Sequence, residues 1–113
     1  MKSGITTHVL DIAQGCPAVG ITVLLQHRSD QGWIEIGSGV TNPMGRIDDL
    51  GAAGALEAGR YRLVFETAAY LERTGVAGFY PEVRIEFEIT EPDQLHHLPL
   101  LLSPFGYSTY RGH

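Results

Sequence analysis

The sequence predicts an all-β protein in which two antiparallel sheets pack as a sandwich, with one short helix. Three observations support this prediction: apolar and polar residues alternate along most of the chain, turn-forming residues separate the alternating segments, and helical composition occurs in one place. About seven short strands, each apolar on one side, can bury those sides by packing as two sheets. The 113 residues are enough for one such domain, which we assign to residues 1–113.

Period-two alternation marks the predicted strands. In PEVRIEFEIT, the apolar residues at every second position would share one face, and the arginine and glutamates between them would share the other. GRYRLVFE repeats the pattern, with Tyr61, Leu63 and Phe65 directed inward. The predicted strands cover residues 4–11, 19–27, 32–40, 59–66, 81–90, 95–103 and 106–111.

Residues 66–75, ETAAYLERTG, depart from this alternation. They include strong helix formers, a threonine that is typical of a helix N-cap, and Gly75 at a position typical of a helix end. We therefore predict a helix of about two turns between the fourth and fifth strands.

Composition excludes several classes of function. The net charge is −5 and no basic run occurs, so nothing indicates binding to nucleic acid or to an anionic membrane. The single cysteine, Cys16, cannot form an internal disulfide, and we interpret it as a small turn residue. No segment approaches the roughly 18 apolar residues of a spanning helix, and the first residues lack the apolar core of a signal peptide. We expect a soluble, cytoplasmic protein.

The residues alone do not define a catalytic site. His96 and His97 are adjacent on a predicted strand, so they point to opposite faces, and each taken alone fits a structural histidine. TNPMGR has the residues of a type I turn, and Arg46, which follows it, fits a solvated surface arginine. No phosphate-binding loop, nucleophile elbow or metal motif is present.

Four segments in order nevertheless resemble one family. ITTHVLD, TNPMGRI, FYPEVRIEFEI and HLPLLLSPFGYSTYRG are similar to the transthyretin-like family of 5-hydroxyisourate hydrolases, from about residue 5 to residue 112. The terminal Tyr-Arg-Gly is the most specific segment, because it separates these hydrolases from the hormone-carrying transthyretins of the same fold.

The resemblance implies a transthyretin-like (prealbumin-like) β-sandwich of two four-stranded sheets. It also implies a homotetramer, a dimer of dimers whose stacked faces enclose a channel containing the active sites. The implied reaction belongs to purine catabolism: water opens the ring of 5-hydroxyisourate, the product of urate oxidation, to give 2-oxo-4-hydroxy-4-carboxy-5-ureidoimidazoline. No cofactor and no metal is implied.

The same resemblance assigns the site residues. The two catalytic histidines fall on His8 and His97, which would activate water and transfer protons, with the choice of general base left open. Arg46 would bind and polarise the substrate through its planar guanidinium. The terminal residues would form a wall of the site, with Arg111 assisting Arg46; they are Tyr110, Arg111, Gly112 and His113.

The chain departs from the family pattern at several positions. The family usually ends in Tyr-Arg-Gly-Ser, whereas this chain has His113 in the last position. Leu95 and His96 stand where the family often has histidine and tyrosine, which leaves His97 as the better catalytic candidate, and Met44 stands where a polar residue is common.

Two other functions remain as alternatives. A ligand carrier like transthyretin would line its channel with apolar and lysine side chains in place of the histidines and arginine. An interaction module would need an exposed apolar patch and no converging histidines.

Overall fold

The computed structural model describes residues 4–50 and 56–112. Within these ranges the chain forms nine strands and one helix. The strands are β1 (Gly4–Asp11), β2 (Cys16–Pro17), β3 (Thr22–Ser29), β4 (Gly32–Val40), β5 (Arg46–Ile47), β6 (Gly59–Phe65), β7 (Val83–Ile89), β8 (Leu95–Ser103) and β9 (Gly106–Thr109), and the helix is α1 (Thr67–Arg73).

The strands form two sheets, as predicted. The first sheet has the order β2-β1-β8-β9, with β5 also paired to β1, and the second sheet has the order β4-β3-β6-β7. The first sheet therefore has five strands where the resemblance implied four, and two of the five, β2 and β5, are only two residues long. The sandwich places residues from both ends of the described chain in the first sheet.

One strand pair differs from the predicted antiparallel arrangement. β1 and β8 run parallel, with Gly4 opposite Leu95 at one end and Asp11 opposite Leu102 at the other. Parallel neighbours need a long crossover, and here the whole second sheet and α1 lie between the two strands in sequence. Alternation within each strand cannot reveal this direction, because it is the same in both arrangements.

The predicted inward faces are confirmed. Tyr61, Leu63 and Phe65 are buried on β6, and the apolar residues of β7 alternate with exposed charged residues. On β8, His96 is buried on the inner face, whereas the adjacent His97 lies half-buried on the outer face. The Nδ1 atom of His96 has no hydrogen-bond partner among the described residues.

The predicted type I turn leads directly into β5. The Gly45 amide donates to the Asn42 carbonyl at 2.7 Å, and the Asn42 side-chain oxygen accepts the amide protons of Met44 and Arg46. Gly45 has φ +77°, and a Cβ there would lie 2.5 Å from the carbonyl oxygen of Val9. Glycine is therefore required for the turn to approach β1, which places Arg46 beside that strand.

The helix differs from the prediction at its start. Glu66 occupies the N-cap position and makes no side-chain cap hydrogen bond, so the predicted threonine cap is wrong. Thr67 lies inside the first turn, where its hydroxyl donates to the Tyr80 carbonyl at 3.4 Å. The helix ends as predicted, with Gly75 just beyond it at φ +74°. Among the described residues, no helix has the length and hydrophobicity needed to cross a membrane.

A buried carboxylate attaches the helix to the first sheet. Asp11, at the end of β1, accepts the amide protons of Ala13 and Gln14 at 3.0 Å, and the Tyr70 hydroxyl donates to its second oxygen at 2.8 Å. Burial, followed by the hydrogen bond to Asp11, raises the pKa of Tyr70 above its usual value of 10.0, so this hydroxyl keeps its proton.

We expect Tyr70→Phe to lower the free energy of unfolding by about 1.5–3 kcal/mol, because the variant loses a hydrogen bond to a buried carboxylate. Urea denaturation of both proteins measures the difference. Tyr107→Phe, which changes a half-exposed residue, should stay within about 0.5 kcal/mol of the parent. Equal stabilities of Tyr70→Phe and the parent would show that the contact to Asp11 contributes nothing.

Candidate active site

Three of the sequence-predicted site residues meet on the outer face of the first sheet. β1 lies between β5 and β8, with His8 directly opposite Arg46 on one side and Thr6 directly opposite His97 on the other. Opposed residues of neighbouring strands share a face, and Thr6 and His8 share a face because they are two positions apart. We call Thr6, His8, Arg46 and His97 the outer-face cluster.

His97 is held on two sides. The Thr6 hydroxyl oxygen lies 2.7 Å from its Nδ1 atom. The Gly112 amide donates to the His97 carbonyl at 2.8 Å, and a Cβ at Gly112 would lie 2.6 Å from the Cδ2 atom of the ring. The terminal segment therefore packs its bare backbone against His97, and glycine at this position gives the ring its space.

The electrostatics around His97 favour the neutral imidazole. Burial, followed by the positive charge of Arg46 and then by His8, lowers the pKa of His97 below its usual value of 6.5. Asp48 acts in the opposite direction, as a weaker cause. A neutral imidazole near pH 7 is able to accept a proton.

His8 and Arg46 are partly exposed to solvent. The Nε2 atom of His8 donates to the Met44 carbonyl at 2.9 Å, so the turn fixes the ring orientation. The Nε atom of Arg46 lies 3.5 Å from a carboxylate oxygen of Asp48, and the Arg46 side chain is 40% exposed. A partly exposed guanidinium beside two imidazoles is suited to binding a polar, oxygen-rich molecule.

The terminal segment is only partly brought into the cluster. Gly112 contacts His97, whereas Tyr110 is exposed and the Arg111 guanidinium lies 3.5 Å from the Gln94 side-chain oxygen. Arg111 lines a cleft together with His97 and Gly112. Burial, followed by the charge of Arg111, lowers the pKa of His96 on the inner face. The predicted role of Arg111 beside Arg46 stays a prediction, and His113 lies outside the described residues.

The sequence interpretation missed Thr6 and Asp48. Period-two alternation from His8 places Thr6 on the same face, and alternation from Arg46 does the same for Asp48. Neither signal identifies a role without the pairing of β1 with β8 and the position of β5. Among residues 4–50 and 56–112, no group of three histidine, cysteine, aspartate or glutamate side chains is placed to hold a metal ion.

Known proteins resemble the chain over almost its whole length. A family model described as HIUase/Transthyretin family matches residues 5–112. The 5-hydroxyisourate hydrolase of Salmonella dublin is 42% identical over 108 residues, which cover 96% of this chain and 79% of that protein.

Two solved structures are similar in both sequence and backbone. The 5-hydroxyisourate hydrolase of Klebsiella pneumoniae has a TM-score of 0.83 and 41% identity, covering 98% of this chain and 94% of that one. Sea bream transthyretin, solved in complex with thyroxine, has a TM-score of 0.90 and 32% identity, covering 96% and 93%. Because a hydrolase and a transthyretin solved with thyroxine share this backbone, the fold does not decide between their functions, and side-chain chemistry must do so.

Proposed function

The chain belongs to the HIUase/Transthyretin family, and from this premise we propose that it is an enzyme that hydrolyses 5-hydroxyisourate in urate degradation. Its product is 2-oxo-4-hydroxy-4-carboxy-5-ureidoimidazoline. The observation that carries the proposal is the convergence of two histidines and an arginine, His8, His97 and Arg46, on one sheet face.

The reaction needs a proton acceptor and a group that stabilises negative charge. His97 takes a proton from water at its Nε2 atom, and the water oxygen forms a bond with a ring carbonyl carbon of the substrate. The carbonyl oxygen becomes an oxyanion beside the Arg46 guanidinium, which stabilises the developing charge. The carbon–nitrogen bond of the ring then breaks, and the leaving nitrogen receives a proton from a histidine of the cluster.

The carrier alternative is less well supported. It requires apolar and lysine side chains on the face that lines the channel, and here that face carries imidazole and guanidinium groups. The interaction-module alternative requires that the histidines do not converge. Burial lowers the pKa of His97, and the nearby charges of Arg46 and then His8 lower it further. His8 and His97 therefore lie close together, against this alternative.

We further propose a homotetramer, built as a dimer of dimers from single-domain chains of residues 1–113. In support, the Arg46 side chain of the outer-face cluster is 40% exposed, so an enclosed site requires a wall from another chain. Light scattering at micromolar concentration should give the mass of four chains, and a monomer mass would contradict the proposal. A cytoplasmic location stays a prediction from the sequence.

The activity itself can be tested directly. Urate oxidase generates 5-hydroxyisourate in the cuvette, and the near-ultraviolet absorbance of that compound is followed with and without this protein. The decay should become faster in proportion to the protein concentration. An unchanged decay with protein that is folded by circular dichroism would contradict the hydrolase function.

A further inference from the structure

The hydroxyl of Thr6 is directed at the proposed general base, and this contact has a consequence for proton transfer. Taking the proposed function as its basis, we propose that Thr6 is a positioning residue for catalysis. Its hydroxyl accepts the proton carried by Nδ1 of His97 and thereby leaves Nε2 as the basic nitrogen that meets the substrate water.

The surroundings of the ring define which nitrogen is free. Thr6 occupies the Nδ1 side at 2.7 Å, and the Gly112 backbone occupies the Cδ2 side. Nε2 makes no hydrogen bond to any described residue, whereas Nδ1 makes one to Thr6. Proton exchange with a bound molecule is therefore assigned to Nε2.

The sheet gives this contact a fixed geometry. Thr6 and His97 are opposed in the parallel pairing of β1 and β8, so the strand ladder sets the distance between their backbones. The residue Thr6 is 7% exposed, which limits competition from water for its hydroxyl. Threonine is branched at Cβ and has restricted χ1 rotation, so the hydroxyl keeps its direction at little entropic cost.

The direction of the hydrogen bond follows from the chemistry of a general base. When His97 accepts a proton at Nε2, the imidazolium has a proton on each nitrogen, and Nδ1 can then only donate. A Thr6 hydroxyl that accepts from Nδ1 before the reaction keeps the same bond afterwards and needs no reorientation. The other charged or titratable groups acting on the ring are His8 on β1, with Arg46 and Asp48 on and beside β5.

The tautomer can be measured without any activity assay. In the ¹⁵N-labelled parent, nitrogen–proton correlation spectra above the titration of His97 should show a protonated Nδ1 and a bare Nε2. In Thr6→Val, which keeps the shape but removes the hydroxyl, the population should shift toward the Nε2-protonated form. Thr6→Ser, which restores a hydroxyl, should return the parent pattern.

The kinetics of the same variants test the consequence for catalysis. Thr6→Val should lower kcat by about 10- to 100-fold with little change in KM. Because the imidazolium loses a hydrogen-bond acceptor, the pKa of His97 should fall, and the acid limb of the pH profile of kcat/KM should move to lower pH. Thr6→Ser should recover most of the rate.

Thr7→Val is the control for a purely structural effect. The Thr7 hydroxyl donates to the Leu98 carbonyl at 2.6 Å on the buried face, so its loss should lower stability without changing the tautomer of His97. A parent ring protonated on Nε2 would overturn the proposal, and so would a Thr6→Val variant with the parent's tautomer and kcat. The spectra decide this even if the protein does not act on 5-hydroxyisourate.

Discussion

Replacing His97 with asparagine is expected to lower kcat for 5-hydroxyisourate by about 10²- to 10⁴-fold, the usual contribution of general acid–base catalysis. Asparagine keeps a polar side chain of similar reach but cannot accept a proton near neutral pH. The fold should survive, because His97 lies on the outer face of β8 while the core packs against the inner face. Steady-state rates measure the activity, circular dichroism measures the fold, and light scattering measures the assembly, all on the same preparation.

His27→Asn is the matched control. His27 lies on β3 of the second sheet, where its ring stacks on Tyr61 with centroids 4.4 Å apart. The variant should keep the parent kcat and lose only a little stability. A folded His97→Asn variant with the parent rate would remove His97 from the mechanism.

Replacing Arg46 with lysine should lower kcat/KM by about 10²- to 10³-fold, the range found when one donor to an oxyanion is lost. Lysine keeps the positive charge but loses the planar guanidinium with its several fixed donors. The charge that lowers the pKa of His97 remains, so the acid limb of the pH profile should stay near the parent's position.

Arg46→Gln separates charge from geometry. Without the cation, the pKa of His97 should rise toward 6.5, so the loss of activity on acidification should begin at a higher pH than in the parent. Arg28→Lys is the control, because Arg28 lies on the second sheet over the Trp33 ring at 5.7 Å. An Arg46→Lys variant as active as the parent would show that a point charge is sufficient.

Much of the fold follows from local sequence signals. Alternation located the long strands, and β4 and β8 begin and end where they were predicted. The two-residue strands β2 and β5 are too short to produce a periodic pattern. The parallel direction of β1 and β8 depends on the path of the whole chain, which no local pattern records.

Less of the candidate site follows from the residues alone. His8, Arg46 and His97 are far apart in sequence, and it was the resemblance to a known family that grouped them. Their meeting depends on β5, which exists because Gly45 lets the turn approach β1. Thr6 was missed because its importance depends on facing His97 across a strand pair that alternation could not predict.

The parallel pairing of β1 with β8 also bears on how the protein is made. As the chain leaves the ribosome, the strands of the second sheet can pair with neighbours close in sequence, whereas β1 must wait for residues 95–102. Closing such a long loop costs chain entropy before any contact compensates for it, so we expect this pairing to form late in folding. The outer-face cluster is completed by the same step. The nascent chain therefore gains this cluster only after β8 has been synthesised, when all strands of the second sheet are already available to fold.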